Sequence, residues 1–579
     1  LIAMLMLLTS CESVLEPLLG LIPGLQTSTT ETTTTTKWKP KPTTTKPTTT
    51  GKVEDDTPKF NRADVSTTKE ELILQYTLTT EEVDAAMALL DSMVDASINA
   101  ETIEEVDALY DEFEITFYHI AQQMTLASII YYCDMSEEVA SERHKNTTDM
   151  FYDLQDKYMT SCRTMYLESK FSAELFADWS EEELKELEEY DPTVVTLKKE
   201  IEDLQMQFDD LGYDWGTTDL NDAATELYVQ IVTKNNELAK LNGYDNYYDY
   251  ASENVYGRDY GKEELASFRQ FVIEYIAPNY NTVSKQFNGW KGLSEWKQNA
   301  FVDFVQEKFD KTAKNYLVNY LDSLEGTMGD SMRHMFENKN CVFSNLGTSH
   351  PTAFQTYLYE DEKPFCLFGG SGQSATTMVH EIGHYAAALQ NPDIDNYDLC
   401  ETHSQGNEFL FITFAEESLN KDVYATVKSY QLSTTYSTII VSTIIDEFEQ
   451  RVYALESVEG MTSEDFDNIM KDVCAQYGND GMDGYSWIST YVTNPNEYWR
   501  LVAISNPVYY ISYAISAVPA LEIYALATEN YDAALTAYNG LIEGITPEDG
   551  FLGALEKAGL TTPFEEETYI KINDALVNK

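Results

Sequence analysis

The stretch that most restricts what this chain can become is Met378-Val379-His380-Glu381-Ile382-Gly383-His384-Tyr385. Its H-E-x-x-H spacing puts two histidines four residues apart. A helix stacks residues at that interval on one face, so His380 and His384 can grip one metal ion together. Zinc accepts imidazole nitrogens at about 2.0–2.1 Å, and a catalytic site keeps one position open for water. Glu381, beside the first histidine, can reach that water without binding the metal.

The neighbouring sequence suits such a helix. Pro364-Phe365-Cys366-Leu367-Phe368 reads as a short buried strand, broken by Gly369-Gly370-Ser371-Gly372. Ser374 then caps a helix spanning about 375–389, and Pro392 ends it. An acidic third ligand is expected from the next helix. Glu401 and Glu408 lie seven apart there, on one face. Spacing alone lets either one bind, leaving the other to accept a hydrogen bond from a ligand histidine. His403 is rotated off that face and reads as structural or substrate-facing.

Elsewhere helical periodicity dominates. Apolar residues recur at intervals of three and four over 83–94, 103–118, 194–211, 227–241 and 301–321. Strand-like alternation is confined to about 353–359 and 364–368. The expected fold is mainly α, with a small β-sheet beside the H-E-x-x-H helix. A chain of 579 residues exceeds a single small core. We place a boundary near 330, where Gly326 and Gly329 interrupt the pattern, dividing a helical lobe over 63–330 from a metal-bearing lobe over 331–579. No internal repeat is visible.

The start of the chain reads differently. Residues 1–11 form an apolar run ending in Leu8-Thr9-Ser10-Cys11, which resembles the end of a bacterial lipoprotein signal, with Cys11 as the lipidated residue. Residues 12–62 include a tract rich in Thr, Pro and Lys that cannot bury a core and reads as a disordered tether. No other segment looks apolar enough to cross a membrane, which leaves lipid on Cys11 as the attachment and an extracytoplasmic location. With 98 acidic against 38 basic residues the net charge is −60, which excludes nucleic-acid binding by charge. The six cysteines after Cys11 are at the wrong spacing for a thiolate metal site. They read either as isolated buried thiols or as disulfides, for which fifteen connectivities exist.

Several of these stretches together resemble the thimet oligopeptidase and oligoendopeptidase F family of zinc metallopeptidases. Asn242-Gly243-Tyr244-Asp245-Asn246-Tyr247 is similar to the family's G-Y-x-N-Y segment. Ala353-Phe354-Gln355-Thr356-Tyr357-Leu358 resembles the strand ahead of its site, Thr377 to His384 its zinc helix, and Glu401-Thr402-His403-Ser404-Gln405-Gly406-Asn407-Glu408 its E-x-x-S-x-x-x-E helix. The resemblance implies one Zn²⁺ held by His380, His384 and Glu401, with Glu408 behind them and Glu381 as general base. It also implies two helical lobes around a deep channel that admits short peptides, and a monomer is the default state.

Downstream, Pro507-Val508-Tyr509-Tyr510-Ile511-Ser512-Tyr513 is similar to the family's tyrosine-rich segment. The match assigns oxyanion donors to Tyr510 and Tyr513, three apart on an expected helix. The family usually has a histidine shortly before these tyrosines, and Leu501-Val502-Ala503-Ile504-Ser505 has none. That departure keeps open a catalytically weak, zinc-retaining peptide-binding lipoprotein. A gluzincin resembling the angiotensin-converting enzyme type is a further alternative.

Overall fold

The computed structural model describes residues 60–577, apart from 178, 180–183, 186, 189, 192, 212–217, 285–313, 315, 351, 395, 418, 420, 478–498 and 505. Cys11, nearly all of the 12–62 tether and most of the 301–321 helical pattern lie outside the described residues.

The helical periodicity becomes long helices. α1 (Thr80–Asn99), α2 (Glu104–Cys133) and α3 (Glu138–Glu168) form an N-terminal layer. Thr79 opens α1 with a capping box, its hydroxyl accepting from Glu82 N–H while Glu82 reaches back to Thr79 N–H. Between these helices lies a core of its own, including Val83, Leu90, Phe113, Phe117, Phe151 and Leu154. α4 (Thr193–Asp210), α5 (Thr218–Leu241) and α6 (Tyr247–Asn254) follow.

After α7 (Gly326–Glu337) the chain makes a small sheet. β2 (Ala353–Leu358) and β3 (Lys363–Phe368) pair antiparallel, with Ala353 opposite Phe368 and Leu358 opposite Lys363. These are the two strands expected from sequence, the first ending and the second starting one residue earlier than expected. A third, β1 (Cys341–Phe343), runs parallel to β3 on its other side, so among the described residues β2 lies at an edge of the sheet. β3 is buried along nearly its whole length, as a central strand between two neighbours requires.

Then come the two helices the site is built on, α8 (Ala375–Gln390) and α9 (Tyr397–Ala415), and the 33-residue α10 (Lys421–Tyr453). α11 (Ile511–Glu529) and α12 (Tyr531–Gly540) follow the tyrosine-rich segment. α11 corrects one expectation. It is long and apolar enough by composition to cross a membrane, yet 83% of that stretch is buried inside the protein. It is the hydrophobic spine against which α9, α10 and α12 pack, which accounts for its lack of a polar face. A further extended core runs from Leu72 to Leu576 and takes in α8, α9, α10 and α11.

Among the described residues Cys133, Cys162, Cys341, Cys366 and Cys474 are buried free thiols. Cys341 and Cys366 sit opposite each other on β1 and β3. Burial pushes the Cys341 and Cys366 thiols far above the ordinary thiol range, which suits inert core side chains.

Candidate metal centre

α8 starts where Ser374 accepts a hydrogen bond from Thr377 N–H at 3.1 Å, a cap worth about 1 kcal/mol, and it ends before Pro392. α9 starts with Asn396, whose side chain accepts from Leu399 N–H at 2.9 Å. The two helices must come close for one to complete the other's metal site, and Gly383 makes this feasible. A Cβ there would lie 2.8 Å from the His403 carbonyl oxygen and 2.9 Å from Ser404 Cα, both on the backbone of α9. Asn407 ties the same pair together by donating to the Val379 carbonyl at 2.7 Å.

His380 Nε2 and His384 Nε2 stand 3.2 Å apart. Glu401 Oε2 lies 3.5 Å from the first and 3.8 Å from the second. A tetrahedral ion with bonds of about 2.0–2.1 Å needs donors roughly 3.3–3.4 Å from one another. The triangle is therefore close to what zinc requires, and the three donors, His380 and Glu401 buried and His384 partly buried, form a metal-competent group.

The outer contacts favour the same use. Glu408 Oε1 accepts from His380 Nδ1 at 2.6 Å, which turns the lone pair of Nε2 toward the triangle. The other Glu408 oxygen accepts from Gln431. Of the two acidic candidates, then, Glu401 supplies the triangle and Glu408 orients a histidine. Glu401 is fixed in turn: Ser404 Oγ donates to Oε2 at 3.1 Å, and Tyr509 Oη donates to Oε1 at 2.6 Å.

Glu381 stands apart. It is fully buried, and among the described residues neither carboxylate oxygen has a hydrogen-bond partner. Burial pushes its carboxyl up to about 8; the His380 charge pulls it down, and Glu401 and Glu408 push it further up. Burial depresses His380, but the bond to Glu408 and the charges of Glu408, Glu401 and Glu381 outweigh it and bring it to about 9. Burial and the charge on His380 drive His384 well below its ordinary value. A proton on the pair therefore rests on His380, in the place a cation would take. A buried carboxylate without a partner is costly, and beside three convergent donors it is what a hydrolytic metal site would keep.

His403 is a structural residue. Its Nε2–H donates to the Leu541 carbonyl at 2.9 Å, and burial lowers it to about 4.

The family match picks out Tyr510 and Tyr513 on an expected helix; in the structure α11 begins only at Ile511, and Tyr510 is its N-cap residue. The phenol that touches the metal triangle is Tyr509, which sequence reasoning passed over. Tyr513 packs on it with ring centroids 4.9 Å apart. Burial and then the Glu401 charge drive Tyr513 well above the usual phenol value, with Glu381 adding to the effect. Tyr510 is buried beside Tyr513, at 6.0 Å between centroids.

No protein-family model matches the chain, and no curated protein matches it in sequence. Solved structures do. PZ peptidase A bound to an inhibitor superposes with a TM-score of 0.65 at 17% identity, covering 87% of this chain and 98% of that one. A candidate oligoendopeptidase F superposes at 0.66 and 16% identity, covering 89% and 98%. Another, from Bacillus anthracis str. Ames, gives 0.61 at 18% identity, covering 86% and 95%. The chain has the fold of these structures over most of its length.

Proposed function

We propose that this chain is a zinc-dependent oligoendopeptidase that hydrolyses internal bonds of short, unfolded peptides. One observation carries the proposal: three convergent donors, two buried and His384 partly so, set near tetrahedral spacing, with the buried carboxyl of Glu381, which has no hydrogen-bond partner among the described residues, beside them. The shared fold with oligoendopeptidase F and PZ peptidase structures supports it.

His380, His384 and Glu401 would hold the ion. When bound, zinc supplies Lewis-acid polarisation of the scissile carbonyl and a water acidified to a pKa of about 7. Glu381 takes the proton of the attacking water and passes it to the leaving amine. The phenol of Tyr513, or that of Tyr510, donates to the oxygen on which negative charge develops. Glu408 keeps His380 in the tautomer that presents Nε2. The free edge of β2 can pair with an extended peptide backbone. A channel between helical lobes would then restrict entry to short chains.

The test is cleavage of a mixed pool of peptides by wild type and Glu381→Gln, with bound zinc quantified in both. Internal cleavage by wild type alone, with zinc present in both, is the expected result. Zinc in both and cleavage by neither would favour a peptide-binding protein, a reading motivated by the absence of histidine at 501–505. Failure of both proteins to hold zinc would remove the basis of the proposal.

We also propose that the protein acts outside the cytoplasm, anchored through lipid on Cys11 and held off the membrane by the Thr-rich tether. Metabolic labelling with a fatty acid should mark wild type and not Cys11→Ala. Equal labelling of the two would refute the anchor.

A further inference from the structure

The turn that carries Tyr509 is held by residues that the proposed chemistry does not use. Val508 has φ +67°, in the left-handed region. A β-branched residue is a genuine outlier there and persists only where its surroundings impose the conformation. Both of its backbone polar groups are gripped by buried charged side chains. Its N–H donates to Glu449 Oε1 at 2.8 Å, and its carbonyl accepts from Arg258 Nη2 at 2.7 Å.

Arg258 belongs to an irregular strap of five residues, Tyr256-Gly257-Arg258-Asp259-Tyr260, which follows α6. Tyr256 Oη donates to the Pro507 carbonyl at 2.6 Å. The Arg258 guanidinium lies over the Tyr256 ring, 4.6 Å from its centroid, and Nη2 also reaches Ser512 Oγ at 3.1 Å. The strap holds α9 as well. Asn396 donates to the Gly257 carbonyl at 2.6 Å, and Tyr260 Oη donates to Asp398 Oδ2 at 2.7 Å. Asn396 caps α9, and Asp398 precedes Glu401 by three residues. One short segment thus grips both the helix that brings Glu401 and the turn that brings Tyr509.

We infer that Arg258, together with Tyr256 and Glu449, is a positioning clamp that holds Val508 in its left-handed conformation and so sets Tyr509 against Glu401, with Tyr513 packed beside it. Arg258 is no catalytic residue, because Val508 and Tyr509 stand between it and the metal triangle. The kinetic arm of its test rests on the peptidase reading; a spectroscopic arm does not.

The decisive experiment is a double-mutant cycle of Arg258→Lys and Val508→Gly in the zinc-loaded full chain, read by peptide cleavage and by ¹⁹F NMR of 3-fluorotyrosine placed at position 509. Lysine keeps the charge beside Asp398 and Asp446 but cannot span the Val508 carbonyl and Ser512 together. Glycine adopts φ near +67° without imposition. Arg258→Lys should lower kcat at least ten-fold, leave KM and zinc content within three-fold, and split or shift the Tyr509 resonance. In the Val508→Gly background the same change should cost less than three-fold and leave the resonance where that single variant has it. A purely structural role would give equal losses in both backgrounds, and that result, or an unmoved resonance, would overturn the clamp. A moved resonance with unchanged kcat would overturn its bearing on catalysis. Should Arg258→Lys not fold, Tyr256→Phe removes only the hydroxyl bond to Pro507 and should move the resonance in the same direction; no movement refutes the proposal. If wild type cleaves nothing, the peptidase reading falls and the resonance alone decides the clamp.

Discussion

The two sides of the metal triangle are built in opposite ways. On one side, α8 and α9 bring His380, His384 and Glu401 together out of regular helix. Their supporting contacts come largely from the same pair: Glu408 on His380, Ser404 on Glu401, Asn407 on the Val379 carbonyl. On the other side, Tyr509 arrives on a turn with a left-handed valine. Its backbone is fixed by Tyr256 and Arg258, about 250 residues earlier in the chain, and by Glu449 on α10. Donors that must meet a fixed ionic radius come from stiff elements. Phenols that, on the proposed function, would meet a substrate come from a segment whose shape is imposed by others. The helix side should therefore govern whether metal binds, and the turn side how fast a bound peptide reacts.

The largest effect tests the helix side. Glu381→Gln keeps the size and removes the base, so kcat should fall about 10²–10⁴-fold with zinc retained. Because the buried carboxylate has no partner among the described residues, replacing it with a neutral amide should also leave the melting temperature of the metal-free protein equal or higher. Loss of zinc with activity would make Glu381 a ligand and break the division. Next is the turn side. Tyr513→Phe should lower kcat about 10²-fold, as removal of an oxyanion donor does, with zinc affinity unchanged. A larger loss in Tyr510→Phe would show that the turn presents its other phenol.

The third pair compares supports of the same kind. Glu408→Gln should weaken zinc about 10–100-fold, measured by competition with a chelator. Tyr509→Phe should stay near the lower end of that range, since Ser404 still holds Glu401. Equal losses would mean that the turn shares in metal binding and that the two sides are less separate than their construction suggests.

The same contrast explains what could be read from sequence. The H-E-x-x-H helix, its serine cap, its proline stop, the strand before it and the two glutamates seven apart all obey short-range rules, and the structure places each of them as those rules say. The choice between Glu401 and Glu408 needed a distance, because both lie on one face. Tyr509 was not legible because the family match pointed to Tyr510 and Tyr513, and the contact of Tyr509 with Glu401 depends on a turn that precedes the helix, whose conformation no valine would adopt by local preference. β1 escaped for a different reason: three residues are too few for a periodicity. The apolarity of α11 was understated: the sequence reading found no further segment apolar enough to cross a membrane, yet a spine buried over most of its surface carries that composition.

The smallest expected effect is the sharpest test of how separate the two sides are. Gly383→Ala places a Cβ against the His403 carbonyl and Ser404 Cα, backbone atoms that cannot rotate away. Alanine favours the helix by about 1 kcal/mol, but overpacking typically costs roughly 1–3 kcal/mol, and with no side chain to yield the overlap should win. The melting temperature should fall. α8 and α9 should part by a few tenths of an ångström. The His380–His384 leg of the triangle, 3.2 Å within one helix, stays as it is. The two legs to Glu401, already 3.5 and 3.8 Å, lengthen. Zinc should therefore weaken by less than about ten-fold, since the ion can draw the carboxylate back through its flexible side chain. Combined with Arg258→Lys, the losses in kcat should multiply if the turn takes its position from the strap. If they do not, the displacement of α9 reaches Tyr509 through its bond to Glu401, and the turn takes part of its geometry from the helix it faces.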